Sequence, residues 1–258
     1  AAYEQSVRWS NRAQAAAAQS DILPATADAP FRISQLYADI AESDHHAWRH
    51  ELDRGYVALQ PGWGQILIGR QAIGIGRGRL FSAVDMFAPF APLEVDREWR
   101  RGVDAMRVEY RLSPTASMEA LVVAGSSIHD SAFVVRARGY VGSFDAEILG
   151  GRRAGDAFGA AVVSSTVGES EAHGELAVFK TEDPHPQGQL WDDERLIPKM
   201  LAGASHTLDI GNGLTVLGEY HYSGFGANDP RAITTLFARP DFQARLLRGD
   251  LQILGRHA

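Results

Sequence analysis

Cysteine is absent from the 258 residues. That excludes a disulfide framework, a thiolate nucleophile and any cysteine-based metal site. Lysine is nearly absent as well, occurring only at Lys180 and Lys199, so arginine carries the positive charge. Arginine suits positions that need a permanent charge and a rigid planar fork of donors. No apolar run approaches the ~18–20 residues of a transmembrane helix. A surplus of positive charge is missing too. The formal net charge is −7, which speaks against nucleic acid, a partner that requires a basic patch or stripe. The opening Ala1-Ala2-Tyr3-Glu4 lacks a basic-then-apolar leader. The expectation is that a signal was removed or that the chain begins inside a longer one.

What the chain has is glycine, 26 residues of it, and alternation. Met106, Val108, Tyr110 and Leu112 interleave with Arg107, Glu109 and Arg111. Phe133, Val135 and Ala137 interleave with Arg136 and Arg138, and Phe144, Ala146 and Ile148 with Asp145 and Glu147. Leu214, Val216, Tyr220 and Tyr222 interleave with Thr215, Glu219 and His221. Leu247, Leu251 and Ile253 interleave with Arg248, Asp250 and Gln252. Successive side chains of a strand point to opposite faces, so each piece is a strand with one apolar and one ionic face. Leu121 and Leu217 break the pattern, sitting on the polar side of their strands.

The connections alternate short and long. Gln60-Pro61-Gly62, Ser113-Pro114-Thr115-Ala116, Gly142-Ser143, Val167-Gly168-Glu169-Ser170 and Gly211-Asn212-Gly213 are tight; the last is a strong hairpin signal. The segments 72–102, 181–203 and 224–241 are long. Short turns on one side and long loops on the other is the layout of a transmembrane barrel. The expected fold is therefore all-β: an antiparallel up-and-down transmembrane β-barrel, incomplete, with about 11–12 strands visible. Phe31 to Ile40 is a further candidate strand. Residues 1–30 are an unassigned lead, and 31–258 form a single truncated barrel domain whose last strand spans 242–256.

Leu67-Ile68-Gly69-Arg70-Gln71, Gly76-Arg77-Gly78, Asp85-Met86-Phe87-Ala88-Pro89-Phe90-Ala91-Pro92, Asp96-Arg97-Glu98 and Gly102-Val103-Asp104-Ala105 occur together. Leu52-Asp53-Arg54-Gly55-Tyr56-Val57 lies upstream and Leu254-Gly255-Arg256-His257 at the end. This set resembles a family of largely uncharacterised bacterial outer-membrane β-barrels, similar to porins and, more distantly, to alginate-export barrels. Ile75 departs from it, since a tryptophan is usual there. The resemblance implies a barrel and says little about cargo, because fold does not give function.

The function expected from this reading is a porin-like channel for passive passage or export of a small-molecule or polysaccharide solute. It carries no cofactor, performs no chemistry and sits in the bacterial outer membrane with lipid as its partner. Arg70, Arg77, Asp85, Asp96, Arg97, Glu98 and Asp104 would lie in a loop folded into the pore, as charged rings do at channel constrictions. Arg107, Glu109, Arg111, Arg136, Arg138, Asp145 and Glu147 would line the lumen, with Glu219, Arg248 and Asp250 beside them. The structural alternative for both sets is a network of cross-strand salt bridges. Other readings are a non-conducting structural or adhesive barrel, an outer-membrane hydrolase and a soluble β-protein. A hydrolase would draw on Ser127, His129 and Asp130, whose nearness in sequence is not triad geometry. Asp44-His45-His46 and His50 read as a polar loop rather than a metal site, which needs ligands at fixed geometry. Gly74-Ile75-Gly76-Arg77-Gly78 lacks the strand-to-helix context of a dinucleotide loop.

Overall fold

The computed structural model describes residues 2–9, 31, 37–43, 46–87, 102–125, 127–128, 131–153, 155–180, 196–224, 238 and 240. The strands are β1 (Ala2–Trp9), β2 (Tyr37–Ser43), β3 (His46–Leu59), β4 (Gly64–Gln71), β5 (Val103–Ser113) and β6 (Ala116–Val123). They continue with β7 (Ala132–Val141), β8 (Phe144–Arg153), β9 (Asp156–Val167), β10 (Ser170–Lys180), β11 (Leu196–Leu208) and β12 (Leu214–Ser223). All pair antiparallel in a 12-stranded sheet ordered β1-β3-β4-β5-β6-β7-β8-β9-β10-β11-β12, with β2 paired to β3. From β3 onward each strand lies beside its predecessor, a meander whose tight turns alternate with longer connections. Gly142 (φ 65°) and Gly168 (φ 61°) take the left-handed conformation that such turns demand.

The sheet is not closed into a barrel. Among the described residues its ladder has two ends, β1 and β12, and no pairing joins them. This overturns the expected transmembrane barrel. The porin-like channel, the outer-membrane location and the lipid partner all rested on that closure and fall with it. The physical reason is simple. Alternation fixes which face a side chain occupies, whereas closure requires tilt, stagger and a last strand that pairs with the first. Alternation carries no information on the second.

Register confirms the two faces. On the outer face, Met106 stands opposite Val122, Val122 opposite Phe133, Ile148 opposite Ala161, Leu176 opposite Met200 and Met200 opposite Tyr222. These apolar side chains are exposed, Ile148 at 64% and Tyr220 at 68%. From β4 to β12, charge on this parity stays at the margins, at Arg152, Lys180 and the buried Arg70 and Asp104. The hydrophobic core lies on the other side. Ile73, Ile75, Ala83, Val84, Met86 and Phe87 pack against inner-face residues that include Val103, Leu121, Val123, Val134, Phe158, Phe179, Ile197 and Leu201. Residues 72–87, which contain no strand, therefore form a strap laid across the inner face. Leu121 and Val123 share a face with Ser117 and Glu119 because they are the floor beneath that strap.

Some boundaries differ from expectation. β11 begins at Leu196, inside the segment expected to be loop through 203. Pro198 lies within that stretch and cannot donate to a ladder. Here its carbonyl accepts the Gly224 N–H at 2.8 Å, so its donorless nitrogen faces the side where β12 ends. β1 occupies part of the expected lead. β2 covers the later part of the candidate strand 31–40 and extends past it. The expected strand 242–256, with Arg248 and Asp250, lies outside the described residues.

Candidate functional site

The inner face carries a continuous ionic ladder. Same-face partners run Glu109–Glu119–Arg136 and Arg111–Ser117–Arg138–Glu147 across β5 to β8. Arg107 bridges Glu119 and stands 3.5 Å from Glu109. Arg136 reaches Glu119 at 3.0 Å and Glu147 at 3.4 Å. Glu119 and Glu109, juxtaposed like charges, are thus separated by guanidinium groups on either side. Arg138 donates to Ser117 Oγ at 3.2 Å and lies 3.8 Å from Glu109. Arg136 and Glu147 are buried, whereas Arg138 and Arg111 are exposed.

Two carboxylates on the inner face hold the strap. Glu175 accepts the backbone N–H of Arg77, that of Gly78 at 2.7 Å, that of Ala83 at 2.7 Å and the Ser82 hydroxyl at 2.8 Å. Glu219 accepts the N–H of Arg79 at 2.6 Å and of Leu80 at 2.7 Å, and His173 Nε2 stands 3.0 Å from it. Burial works against the Glu219 charge. The N–H groups of Arg79, Leu80 and Phe81 and the His173 contact outweigh it and hold the carboxyl below the ordinary value. Gly76 (φ 99°) must be glycine here, because a Cβ would stand 2.6 Å from Glu175 Oε1 and 2.5 Å from Ser82 Oγ. Gly76 therefore serves close approach of the strap to the sheet. Nearby, Lys199 is buried, and its pKa is pulled down to about 8 by desolvation and then by Arg153, against the opposing pull of Glu175 and Asp85. His221, stacked on Phe81 at 5.5 Å, is also held below its ordinary value, by burial and by Lys199, against the opposing pull of Glu175 and Glu219.

Beside the strap, toward the β5–β6 turn, is a cleft of about 650 Å³. Arg77, Arg111, Arg138, Glu109 and Asp145 supply its charges. Ser113, Thr115, Ser117 and Tyr140 supply its hydroxyls. Arg77 comes from the strap and pairs with Asp145 of β8.

The structure divides the site residues expected from sequence. Arg107, Glu109, Arg111, Arg136, Arg138, Asp145 and Glu147 share the inner face, and Arg77 and Asp85 lie on the strap. Arg70 and Asp104 do not join them. Paired in register on the outer parity, they form a buried bidentate bridge, Nε to Oδ1 at 2.9 Å and NH2 to Oδ2 at 2.8 Å. Asp96, Arg97 and Glu98 lie outside the described residues, as do Asp44, His45, His129 and Asp130. Sequence reasoning missed Glu119, Glu175, His173 and Lys199. Parity could have found the first three, because Glu119 follows Ser117 by two, and His173, Glu175, Ala177 and Phe179 succeed one another by the same step. Lys199 was hidden by the misplaced start of β11.

No family model, curated protein or solved structure matches the chain. The resemblance to outer-membrane barrels is corrected accordingly. Of the peptide patterns that carried it, those at 52–57, 67–71, 76–78, 85–87 and 102–105 sit in β3, β4, the strap and the start of β5, while 88–92, 96–98 and 254–257 lie outside the described residues. Among the described residues the sheet is open.

Proposed function

We propose that this chain is a non-catalytic binding protein that holds a small polar solute in the cleft between the strap and the β5–β8 turns. The observation that carries this reading is the cleft itself. Its volume falls within the ~300–1,000 Å³ range of small-molecule sites, and charged and hydroxyl groups converge in it from the strap, β5, β6, β7 and β8. Such convergence fixes a ligand's orientation. The lining supports binding without chemistry. No histidine lines the cleft, and its hydroxyls meet the Arg138 guanidinium, the Thr115 N–H or one another.

The test is calorimetric titration of the whole chain with a neutral polyol (glycerol), an amine (ethanolamine) and oxyanions (tartrate and inorganic phosphate). One class should bind saturably at one site and be recovered unchanged. Thr115→Trp, at an exposed turn position on the rim, should block it while leaving the fold intact. Failure of all classes to bind, or chemical conversion of the bound solute, would overturn the reading.

A further inference from the structure

We infer that the cleft's ligand carries an oxyanion group, a carboxylate or a phosphate, held between Arg111 and Arg138. This rests on the cleft being the binding site and names the class of solute it takes. Arg111, Ser117 and Arg138 are consecutive same-face partners on β5, β6 and β7. Neighbouring strands lie ~4.8 Å apart, so the two arginine backbones stand about 10 Å apart with a serine hydroxyl between them. Two guanidinium groups can converge over that hydroxyl, and each presents the planar fork that matches an oxyanion bidentately.

The charges decide the sign of the guest. Arg77 is committed to Asp145. Arg138 has a hydroxyl contact and a long 3.8 Å approach to Glu109, and Glu109 is shared with Arg107. Arg111 has no ion pair among the described residues. Three guanidinium groups therefore face two carboxylates in the cleft, a surplus of one positive charge on a chain whose net charge is −7. The surplus sits on the exposed Arg111 and the half-exposed Arg138, so it is reachable from solvent. Ser113, Thr115 and Tyr140 surround the same space and suit a ligand with hydroxyl groups of its own.

The experiment uses the same titrations, with inorganic phosphate and tartrate as probes and glycerol as the neutral control. Tartrate, phosphate or both should bind, the two arms telling carboxylate from phosphate. Binding should weaken as salt rises. Arg111→Gln and Arg138→Gln should each weaken it about tenfold or more, the loss expected for a charged hydrogen bond. Arg111→Gln should leave the melting temperature unchanged, which separates loss of binding from loss of fold. If glycerol binds and neither oxyanion does, the cleft stands as a binding site and the oxyanion is overturned. Equal oxyanion affinity in wild type and Arg111→Gln also overturns it. If nothing binds, the proposed function falls as well.

Discussion

The most tightly held charge lies away from the cleft. Arg70 is 1% exposed, grips Asp104 through two parallel bonds and donates its remaining nitrogen to the Leu52 carbonyl at 2.7 Å. Asp53, also buried, accepts the Gly102 N–H at 3.3 Å beside it. Removing one member of such a pair strands the other as a buried charge, a loss of ~3–5 kcal/mol. Arg70→Met should lower unfolding stability by about that amount in urea titration. Arg70→Lys should recover little, because an ammonium cannot make the fork and the carbonyl bond together. A loss under ~1 kcal/mol, typical of an exposed pair, would mean that the bridge is not buried in solution. This pair shows where residue-level reading from sequence stops. Sequence reading set Arg70 and Asp104 among the charges of a pore loop and did not pair them. Their parity, opposite to that of Arg107 and Glu109, places them behind the face to which they were assigned.

Among the elements, the strap is the least regular and the most dependent on side chains. Its core residues are apolar, but its backbone donors at 77–83 have no strand to pair with, and buried donors without acceptors cost about 1–3 kcal/mol each. Glu175 and Glu219 accept them in separate groups. Glu175→Ala should therefore raise amide exchange, relative to intrinsic rates, at Arg77, Gly78 and Ala83. Glu219→Ala should raise it at Arg79 and Leu80. Loss of protection across the whole strap in both variants would show a single cooperative unit instead of two clasps. The pH dependence follows from the Glu219 carboxyl, which is held below its ordinary value. A depressed carboxyl contributes stability that is complete above the unfolded value, ~4.3, and is lost as pH falls through the folded one. Protection at Arg79 and Leu80 should persist at neutral pH and decline below that window. The face of Glu219 was legible in sequence and that of Glu175 could have been, but their grip on the strap was not. Strands β4 to β10 and β12 were readable to within a residue or two from period-2 alternation and turn chemistry. The strap has neither period, and its partners lie about a hundred residues downstream, as Arg77 and Glu175 do.

At the scale of the molecule, the sheet buries its ionic face and exposes its apolar one. From β5 to β12 the outer rows are aliphatic and aromatic, with Phe133, Ile148, Val216 and Tyr220 all at least half exposed. A contiguous apolar surface beyond a few hundred Å² is uncommon on a protein that stays monomeric in water, since its contact with water is unfavourable by roughly 25 cal/mol per Å². Among the described residues the ladder ends at β1 and β12, and no pairing joins these strands to close a ring. Both features favour association in dilute aqueous buffer, and the prediction is that the apolar face dominates, since its rows run from β5 to β12. Sedimentation velocity over a tenfold concentration range should show mass rising with concentration. Each large apolar side chain contributes about 1.5–3 kcal/mol when fully buried, so Phe133→Lys combined with Ile148→Glu should weaken association at least about a hundredfold. Arg111→Gln, on the inner face, should leave it unchanged. If the double variant associates as strongly as the wild type, the contact runs through the strand ends instead. Replacing Val216 and Tyr220 on β12 by lysine would then weaken association where the Phe133 and Ile148 changes do not.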